Sequence, residues 1–116
     1  MYKLKKQGIL HKNKQFQTVY KTGKSYSNRM LVMYVLPNPA QKRRVGFAAG
    51  KRLGGAVVRN RVKRLLREAY RMRQHELRQD VDLIIVGRKP AVDSNAQAVT
   101  KAFLDLCKRA QILANK

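Results

Sequence analysis

The first predicted element is a short helix near the start of the chain. Phe16, Val19 and Tyr20 follow the spacing i, i+3 and i+4, which places their side chains on one face of a helix. Asn13 is suited to cap such a helix, because its side chain can accept a hydrogen bond from a free backbone N–H. Gly23 is typical of a helix end. We therefore expect a helix that follows Asn13 and ends at Gly23.

A strand is predicted next, over residues 26–36. Its second half, from Leu31 to Leu36, is rich in β-branched and aromatic residues, and the run ends at a Pro-Asn-Pro turn. Both faces of this strand are apolar. A helix can cover one face, but the other face, which carries Val32 and Tyr34, needs a second cover or a ligand.

The middle of the chain predicts a second strand and a long helix. Residues 45–50 alternate larger with very small side chains, so another backbone can approach this strand closely. Gly54 and Gly55 then break the chain. A helix is predicted over residues 56–74, because apolar residues recur there at helical spacing.

A third strand and a third helix complete the pattern. The apolar run within residues 81–87 predicts a central, largely buried strand. Ser94 and Gln97 fit a capping box, in which each side chain bonds the backbone N–H of the other residue. The apolar residues that follow at helical spacing are Val99, Ala102, Phe103, Leu106, Ala110 and Leu113. These elements predict one α/β sandwich of a small sheet and about three helices, formed by a single domain over residues 1–116.

The long helix has two chemically different faces. Its apolar stripe, expected to face the sheet, consists of Val58, Val62, Leu65, Leu66 and Ala69. The opposite face is formed by Asn60, Lys63, Arg64, Arg67 and Arg71, with Arg59 and Arg61 on its flanks. Only Glu68 interrupts the positive charge. Many charged helix faces are simply solvated, but like charges at i, i+4 destabilise a helix by roughly a few tenths of a kcal/mol per pair, so this face favours an anionic partner.

The net charge indicates the kind of partner. The 116 residues include 27 Lys and Arg against 6 Asp and Glu, a formal net charge of +21, and such a surface attracts polyanions. Arginine predominates on the long helix, and its planar guanidinium can grip phosphate through two hydrogen bonds or stack on an unpaired base. These properties favour RNA over a lipid surface. Duplex DNA is less favoured, because neither a helix-turn-helix nor a dimer element is evident.

The apolar segments do not indicate a membrane or secreted protein. They are far shorter than the roughly 20 residues that a membrane-spanning helix needs. The N-terminus is positively charged without an apolar stretch behind it, so it does not resemble a secretory signal, and we expect a cytoplasmic protein. Cys107, the single cysteine, lies among helix-spaced apolar residues and is expected to pack as a buried hydrophobe.

The sequence offers no constellation for independent catalysis. The acidic residues are Glu68, Glu76, Asp80, Asp82, Asp93 and Asp105. Only Asp80 and Asp82 are close in sequence, and we expect them to end a loop before a strand. His11 and His75 are expected to be solvated surface residues. Because the chain also lacks a glycine-rich phosphate-binding signature and a Cys/His metal set, we expect no catalytic residue and no metal ligand on this protein.

Residues 50–68 carry a specific motif. They are Gly-Lys-Arg-Leu-Gly-Gly-Ala-Val-Val-Arg-Asn-Arg-Val-Lys-Arg-Leu-Leu-Arg-Glu, with an Arg-Asn-Arg block at 59–61 on the basic helix. This run resembles the signature of the bacterial ribonuclease P protein family, and the similarity extends outward over nearly the whole chain. The resemblance implies an α+β two-layer sandwich with the element order αβββαβα. It also implies a left-handed βαβ crossover, against the usual right-handed preference.

The resemblance implies a protein that assists an RNA catalyst. In this family the RNA subunit holds the magnesium ions and removes the 5′ leader from precursor tRNA by metal-assisted hydrolysis. The residues implied to contact the catalytic RNA are Arg59, Asn60, Arg61, Lys63, Arg64 and Arg67, to which the basic face adds Arg71. A cleft for the single-stranded leader is implied at Phe16, Tyr20, Val32 and Tyr34, with Lys51, Arg52, Arg88 and Lys89 guiding its phosphates. Aromatic stacking can hold a strand of any sequence, at roughly 1–3 kcal/mol per base.

Two alternatives stay open from the sequence. Phe16 and Val32 fit a hydrophobic core as well as a cleft, whereas the polar tips of the tyrosines favour a partly exposed site. A ribosomal or RNA-chaperone protein with a similar basic fold is the alternative function, and a non-specific DNA-binding protein is the third. The chain departs from the family at Tyr20, where phenylalanine is frequent and stacking should survive, and at Gly55, where a polar residue is frequent.

Overall fold

Three helices and four strands make up the described part of the chain. The computed structural model describes residues 8–10, 12–39 and 42–114. In chain order the elements are α1 (Asn13–Thr22), β1 (Lys24–Ser27), β2 (Leu31–Pro37), β3 (Arg44–Ala49), α2 (Ala56–Arg73), β4 (Val81–Gly87) and α3 (Ala96–Arg109). Single turns of 3-10 helix lie at Lys51–Leu53, Gln74–Glu76 and Lys89–Ala91. This is the αβββαβα order that the resemblance implies. His11 lies outside the described residues.

The four strands form one sheet in the order β1-β2-β4-β3. β1 pairs with β2, and β2 pairs with β4, in antiparallel orientation. β3 lies parallel to β4, so that α2 connects two parallel neighbours. β4 has a strand on each side and is buried at every position except Val86. The predicted central strand over residues 81–87 is therefore confirmed.

The prediction of one strand over residues 26–36 is wrong, because the chain forms a hairpin there. Asn28 makes the turn: its side-chain Oδ1 accepts hydrogen bonds from the backbone N–H groups of Met30 and Leu31, at 3.0 and 2.9 Å. Its own N–H donates to the Leu31 carbonyl at 3.0 Å. These three bonds satisfy the backbone at the turn and separate β1 from β2.

The helix ends differ from the prediction by one residue at two caps. α1 begins at Asn13 itself, and the Gln15 side chain accepts a 3.4 Å hydrogen bond from the Lys12 N–H. The cap of α3 is Asn95 and not Ser94, because the Asn95 side chain accepts from the Ala98 N–H at 2.9 Å. Gly23 closes α1 as predicted, whereas Leu113 lies beyond α3 in a bridge with Leu77.

One face of the sheet carries the main hydrophobic core, which α2 and α3 cover. The largest buried side chains there are Leu31, Met33, Leu66, Leu83, Ile85, Phe103 and Leu106. The predicted apolar stripe of α2 faces the sheet: Val62, Leu66 and Ala69 are buried, and Val58 and Leu65 are half-buried. The closest approach is at Gly87, where a Cβ atom would lie 2.5 Å from Val62 Cγ1. Sheet and helices thus form the two layers of the expected sandwich.

Cys107 lies on α3 inside this core, as the sequence predicts. Its side chain is fully buried and forms no disulfide. Burial raises the pKa of the Cys107 thiol to about 12, since an apolar environment penalises the charged form. At neutral pH the group is therefore a neutral thiol that packs as a small hydrophobe.

The other face of the sheet is covered only in part, by α1. Val19 of α1 packs with Leu10 and with Ile84 of β4 in a second, smaller cluster. The Phe16 ring lies directly on β3 at Gly46, where a Cβ atom would be 2.5 Å from the ring. Beside α1 this face of the sheet keeps a strip of half-buried side chains.

Arg43, just before β3, is a buried arginine. Its Nε donates to the Tyr70 hydroxyl at 2.7 Å, and its Nη1 donates to the carbonyls of Leu77 and Arg78 at 3.0 and 2.8 Å. Its Nη2 donates to the Gln74 carbonyl at 2.9 Å. The guanidinium therefore satisfies one carbonyl at the end of α2, where a positive charge is favourable, and two carbonyls just after the turn that follows, and it joins this region to β3.

We expect Gly87→Ala to destabilise the fold by about 1–3 kcal/mol, because the added methyl group overlaps Val62. Val62 is fully buried, and its β-branched side chain cannot turn away cheaply. Gly50→Ala is the matched control, since a Cβ atom there has nothing within 4 Å. Urea unfolding monitored by circular dichroism measures both variants. Equal free energies of unfolding for Gly87→Ala and Gly50→Ala would contradict the tight contact.

Candidate RNA-binding surfaces

The basic face of α2 is open to solvent. Because the apolar stripe of the helix is held on the sheet, the opposite face points away from the core. Asn60, Arg61, Arg64 and Arg67 are exposed, and Arg59, Lys63 and Arg71 are half-buried. The structure thus brings all seven predicted catalytic-RNA contacts to one accessible side of the molecule.

The arginines of this face have different partners within the protein. Arg71 forms a two-pronged ion pair with Glu68, with Nη2–Oε2 at 2.7 Å and Nε–Oε1 at 3.1 Å. The bond from Arg71 lowers the pKa of Glu68, which keeps this carboxylate charged. Arg67 lies over the Phe47 ring, with its guanidinium carbon 5.4 Å from the ring centre. Stacking on the ring holds the Arg67 guanidinium in place while leaving its N–H groups for a ligand.

Arg61 contacts the protein instead of pointing only to solvent. Its Nη1 donates to the Val92 carbonyl at 2.6 Å, and its Nη2 donates to the Ser94 carbonyl at 2.9 Å. Both acceptors belong to the loop between β4 and α3. Spacing along the helix placed Arg61 on a flank of the basic face, but it gave no sign of these bonds.

A strip of aromatic and aliphatic side chains from α1 and β2 lies on the face of the sheet opposite the main core. We call Phe16, Tyr20, Val32 and Tyr34 the aromatic strip. The Tyr20 and Tyr34 rings pack edge to face with their centroids 4.9 Å apart, and the centroids of the Phe16 and Tyr20 rings are 6.4 Å apart. Tyr20 is 38% exposed, whereas the other three are half-buried. The structure therefore brings together the four residues predicted for the leader.

The four members of the strip differ in what they can offer a ligand. Phe16 is held against Gly46 and also serves the small core cluster. Tyr20 has the most exposed ring of the four. The pKa of its hydroxyl is raised, chiefly by partial burial and to a smaller extent by the neighbouring Tyr34. The Tyr20 hydroxyl therefore keeps its proton near neutral pH and can donate a hydrogen bond. Stacking on a base would fall chiefly to Tyr20 and Tyr34.

Val86 and Ala48 extend the strip, and sequence reasoning missed both. The sheet register pairs Val86 with Val32 on one side and with Ala48 on the other, so the three side chains share a face. Val86 and Ala48 are half-buried. Alternation within residues 81–87 was the available signal, because it places Val86 on the same face as Ile84, away from the main core.

Four basic residues lie at the end of the sheet next to the strip. β3 and β4 are parallel, so their carboxyl ends meet at one edge, where Ala49 pairs with Gly87. The exposed residues that follow these two strands are Lys51, Arg52, Arg88 and Lys89. Arg88 is partly fixed by a 2.8 Å bond from its Nη1 to the Asn28 carbonyl. α2 starts shortly after Lys51 and Arg52, so the strip and the basic face approach each other at this end.

Asp80 and Asp82 each pair with an arginine, and the expectation that they only end a loop is wrong for Asp82. Asp82 lies within β4 and is buried, with Arg44 Nη2 at 2.7 Å from Oδ2 and Asn38 Nδ2 at 2.8 Å from Oδ1. Asp80 pairs with Arg78 at 2.7 Å. Asp82, Arg44 and Asn38 border a cavity of about 450 Å³ on the far side of α1, whose other lining residues are Lys12, Lys14, Gln15, Thr18, Val19, Leu36 and Pro37.

Two other features are absent from the part of the chain that the structure describes. Within residues 8–10, 12–39 and 42–114, no group of three or more His, Cys, Asp or Glu side chains is arranged to hold a metal ion. In the same ranges, every helix is too short or too polar to cross a membrane.

Comparison with known proteins identifies the family. The Ribonuclease P family model matches residues 4–111. The ribonuclease P protein component of Shouchella clausii is 41% identical over 112 residues, 96% of this chain and 92% of that protein. The RNase P protein structure from Staphylococcus aureus is similar with a TM-score of 0.81 at 32% identity, covering 91% of this chain and 97% of that one. The structure from Thermotoga maritima gives 0.78 at 27% identity, covering 86% and 94%. This chain, with its Arg-Asn-Arg block on an open basic helix, belongs to the ribonuclease P protein family.

Proposed function

We propose that this chain is the RNA-binding protein subunit of ribonuclease P, the endoribonuclease that removes the 5′ leader from precursor tRNA. The observation that carries the proposal is the pair of surfaces in a chain of this family: the basic face of α2 and the aromatic strip beside α1. They lie on opposite faces of one sheet and approach each other where Lys51 and Arg88 lie. One small protein can therefore contact the catalytic RNA and the substrate together.

The basic face of α2 is the part that binds the ribonuclease P RNA. Exposed guanidinium groups can bind phosphate oxygens in pairs, and the RNA supplies the negative charge that this face lacks. The residues assigned to this contact are Arg59, Asn60, Lys63, Arg64, Arg67 and Arg71. Arg71 shares its charge with Glu68, so its contribution is expected to be smaller than that of Arg64.

The aromatic strip is the part that binds the leader. A single strand can lay its bases on Tyr20 and Tyr34, and its phosphates can meet Lys51, Arg52, Arg88 and Lys89 at the sheet end. This arrangement does not depend on base sequence, because every base has a flat face. It suits a substrate class whose leaders differ from one precursor to another.

The RNA subunit carries out the chemistry, with magnesium ions held by that RNA. The protein's share is to position the leader and to reduce phosphate repulsion, which lowers the magnesium requirement. We further assign residues 1–116 to one domain, a cytoplasmic location, and no membrane or DNA partner. A ribosomal or RNA-chaperone protein is not favoured, because the chain belongs to the ribonuclease P protein family. Restored leader removal when the protein is added to ribonuclease P RNA at low magnesium tests the proposal.

Removing one charge from the basic face should weaken binding of the ribonuclease P RNA in a salt-dependent way. We expect Arg64→Ala to reduce the slope of log affinity against log salt concentration by just under about one unit, the value for one lost phosphate contact. Filter binding from low to high salt measures this slope. Lys108→Ala, on the exposed side of α3, removes the same charge elsewhere. If both variants change the slope equally, the effect is one of net charge and not of this face.

Removing the open ring of the strip should act only on substrates that have a leader. We expect Tyr20→Ala to lower holoenzyme affinity for precursor tRNA about tenfold, since stacking supplies roughly 1–3 kcal/mol per base, and to leave affinity for mature tRNA unchanged. Tyr20→Phe keeps the ring and should bind like the parent protein. Equal losses for precursor and mature tRNA would show that the strip does not bind the leader.

The protein alone should not cleave precursor tRNA at any magnesium concentration. Asp82→Asn removes the carboxylate that forms an ion pair with Arg44, with Arg44 Nη2 2.7 Å from Asp82 Oδ2. This change should lower the free energy of unfolding by about 1–3 kcal/mol. The cleavage rate per folded holoenzyme should stay the same, because the RNA performs the chemistry. Magnesium titrations of cleavage, without and with the ribonuclease P RNA, measure the activity of the protein alone and the rate of the holoenzyme. Protein-only cleavage that Asp82→Asn abolishes would make this chain a nuclease by itself.

A further inference from the structure

We propose that Arg61 is a positioning residue, which fixes the loop after β4 to α2 and so sets the leader-binding residues relative to the face that binds the catalytic RNA. This inference rests on the proposed function, because it needs Arg88 and Lys89 to meet the leader. It separates Arg61 from the direct RNA contacts to which the family resemblance had assigned it.

The geometry of Arg61 is that of a clamp. Two different nitrogens of one guanidinium donate to two different carbonyls of the loop, Val92 at 2.6 Å and Ser94 at 2.9 Å. Val92 and Ser94 are half-buried. A planar guanidinium can hold two carbonyls at once, whereas a lysine ammonium on its flexible stem holds no such fixed pair.

The clamped loop is continuous with the residues proposed to guide the leader. The Val92 N–H donates to the Lys89 carbonyl at 3.0 Å, within the turn Lys89–Ala91. The Ala91 side chain is fully buried in the main core. At the start of the segment, the Arg88 N–H donates to the Met30 carbonyl at 2.9 Å. The segment from 88 to 94 is therefore held by the turn between β1 and β2, by the core and by Arg61.

Of these three anchors, only the hydrogen bonds from Arg61 link the segment to a side chain of α2. The Arg64 side chain, about one turn further along α2, makes no hydrogen bond to any residue in the described ranges, so a bond of this kind is not general on the helix. The clamp therefore gives α2 a direct hold on the segment that carries Arg88 and Lys89. A shift of that segment would move both cations against the strip without disturbing the basic face.

Arg61→Lys tests the inference, because it keeps the positive charge and removes the clamp. Arg78→Lys is the matched control: Arg78 also forms a two-pronged contact, with Asp80, and precedes β4, so it lies at the opposite end of that strand from the loop. Two quantities are measured for both variants. The first is hydrogen–deuterium exchange of residues 88–94 in the free protein. The second is the affinity of the reconstituted holoenzyme for precursor tRNA relative to mature tRNA.

We expect Arg61→Lys to speed exchange across residues 88–94 by on the order of fivefold, and to lower the precursor-over-mature affinity ratio about threefold to tenfold, the range for the net loss of one ordinary hydrogen bond. Affinity for the ribonuclease P RNA and its salt slope should change less than about twofold, since the charge is retained. Arg78→Lys should leave the loop exchange and the affinity ratio at the parent values.

Three results would overturn the inference. Unchanged exchange in Arg61→Lys would mean that the clamp does not hold the loop. Faster exchange with an unchanged affinity ratio would mean that the loop does not position the leader. Loss of RNA-subunit affinity with an unchanged ratio would return Arg61 to the direct RNA contacts. Failure of the proposed function looks different, because the parent holoenzyme would then show no preference for precursor tRNA at all.

Discussion

The contact between α2 and β4 at Gly87 determines how this protein presents its charge. Because glycine has no side chain, Val62 lies directly against the strand, and Val62, Leu66 and Ala69 of the stripe are buried. A helix with so many like charges on one face would be marginal by itself. Burial of its apolar stripe, at about 25 cal/mol per Å² of apolar surface, offsets the repulsion. The core thus makes it possible to keep the opposite face almost wholly basic.

Sheet topology explains why the two proposed binding surfaces come close at one end. Parallel strands that are neighbours place their carboxyl ends side by side, so the segments after β3 and β4 meet beside the start of α2. β2 runs the other way, and its first residues therefore lie at the same end, where Leu31 pairs with Gly87. Residues about forty positions apart in sequence become neighbours without any long loop.

The sequence predicted the long and strongly patterned elements well and the short polar ones poorly. α2 and β4 match their predicted ranges within one residue, because each has a clear apolar pattern. β1 was missed, since Lys24–Ser27 contains little apolar surface and is a strand because it pairs with β2. The basic face could be predicted because helix faces follow from spacing alone. Val86, Ala48 and the Arg61 clamp could not, since they depend on sheet register and on contacts between distant segments.

Nearly all of the few acidic residues form ion pairs with nearby arginines. Five of the six pair with an arginine, at Arg44–Asp82, Arg71–Glu68, Arg73–Glu76, Arg78–Asp80 and Arg109–Asp105. The remaining cations therefore produce a field of one sign, which reaches about 10 Å at 0.1 M salt. Such a field speeds the first encounter with any polyanion and does not distinguish one RNA from another. Under the proposed function, discrimination then falls to the dissociation step, where an RNA that fits both the basic face and the aromatic strip stays bound and other RNAs dissociate.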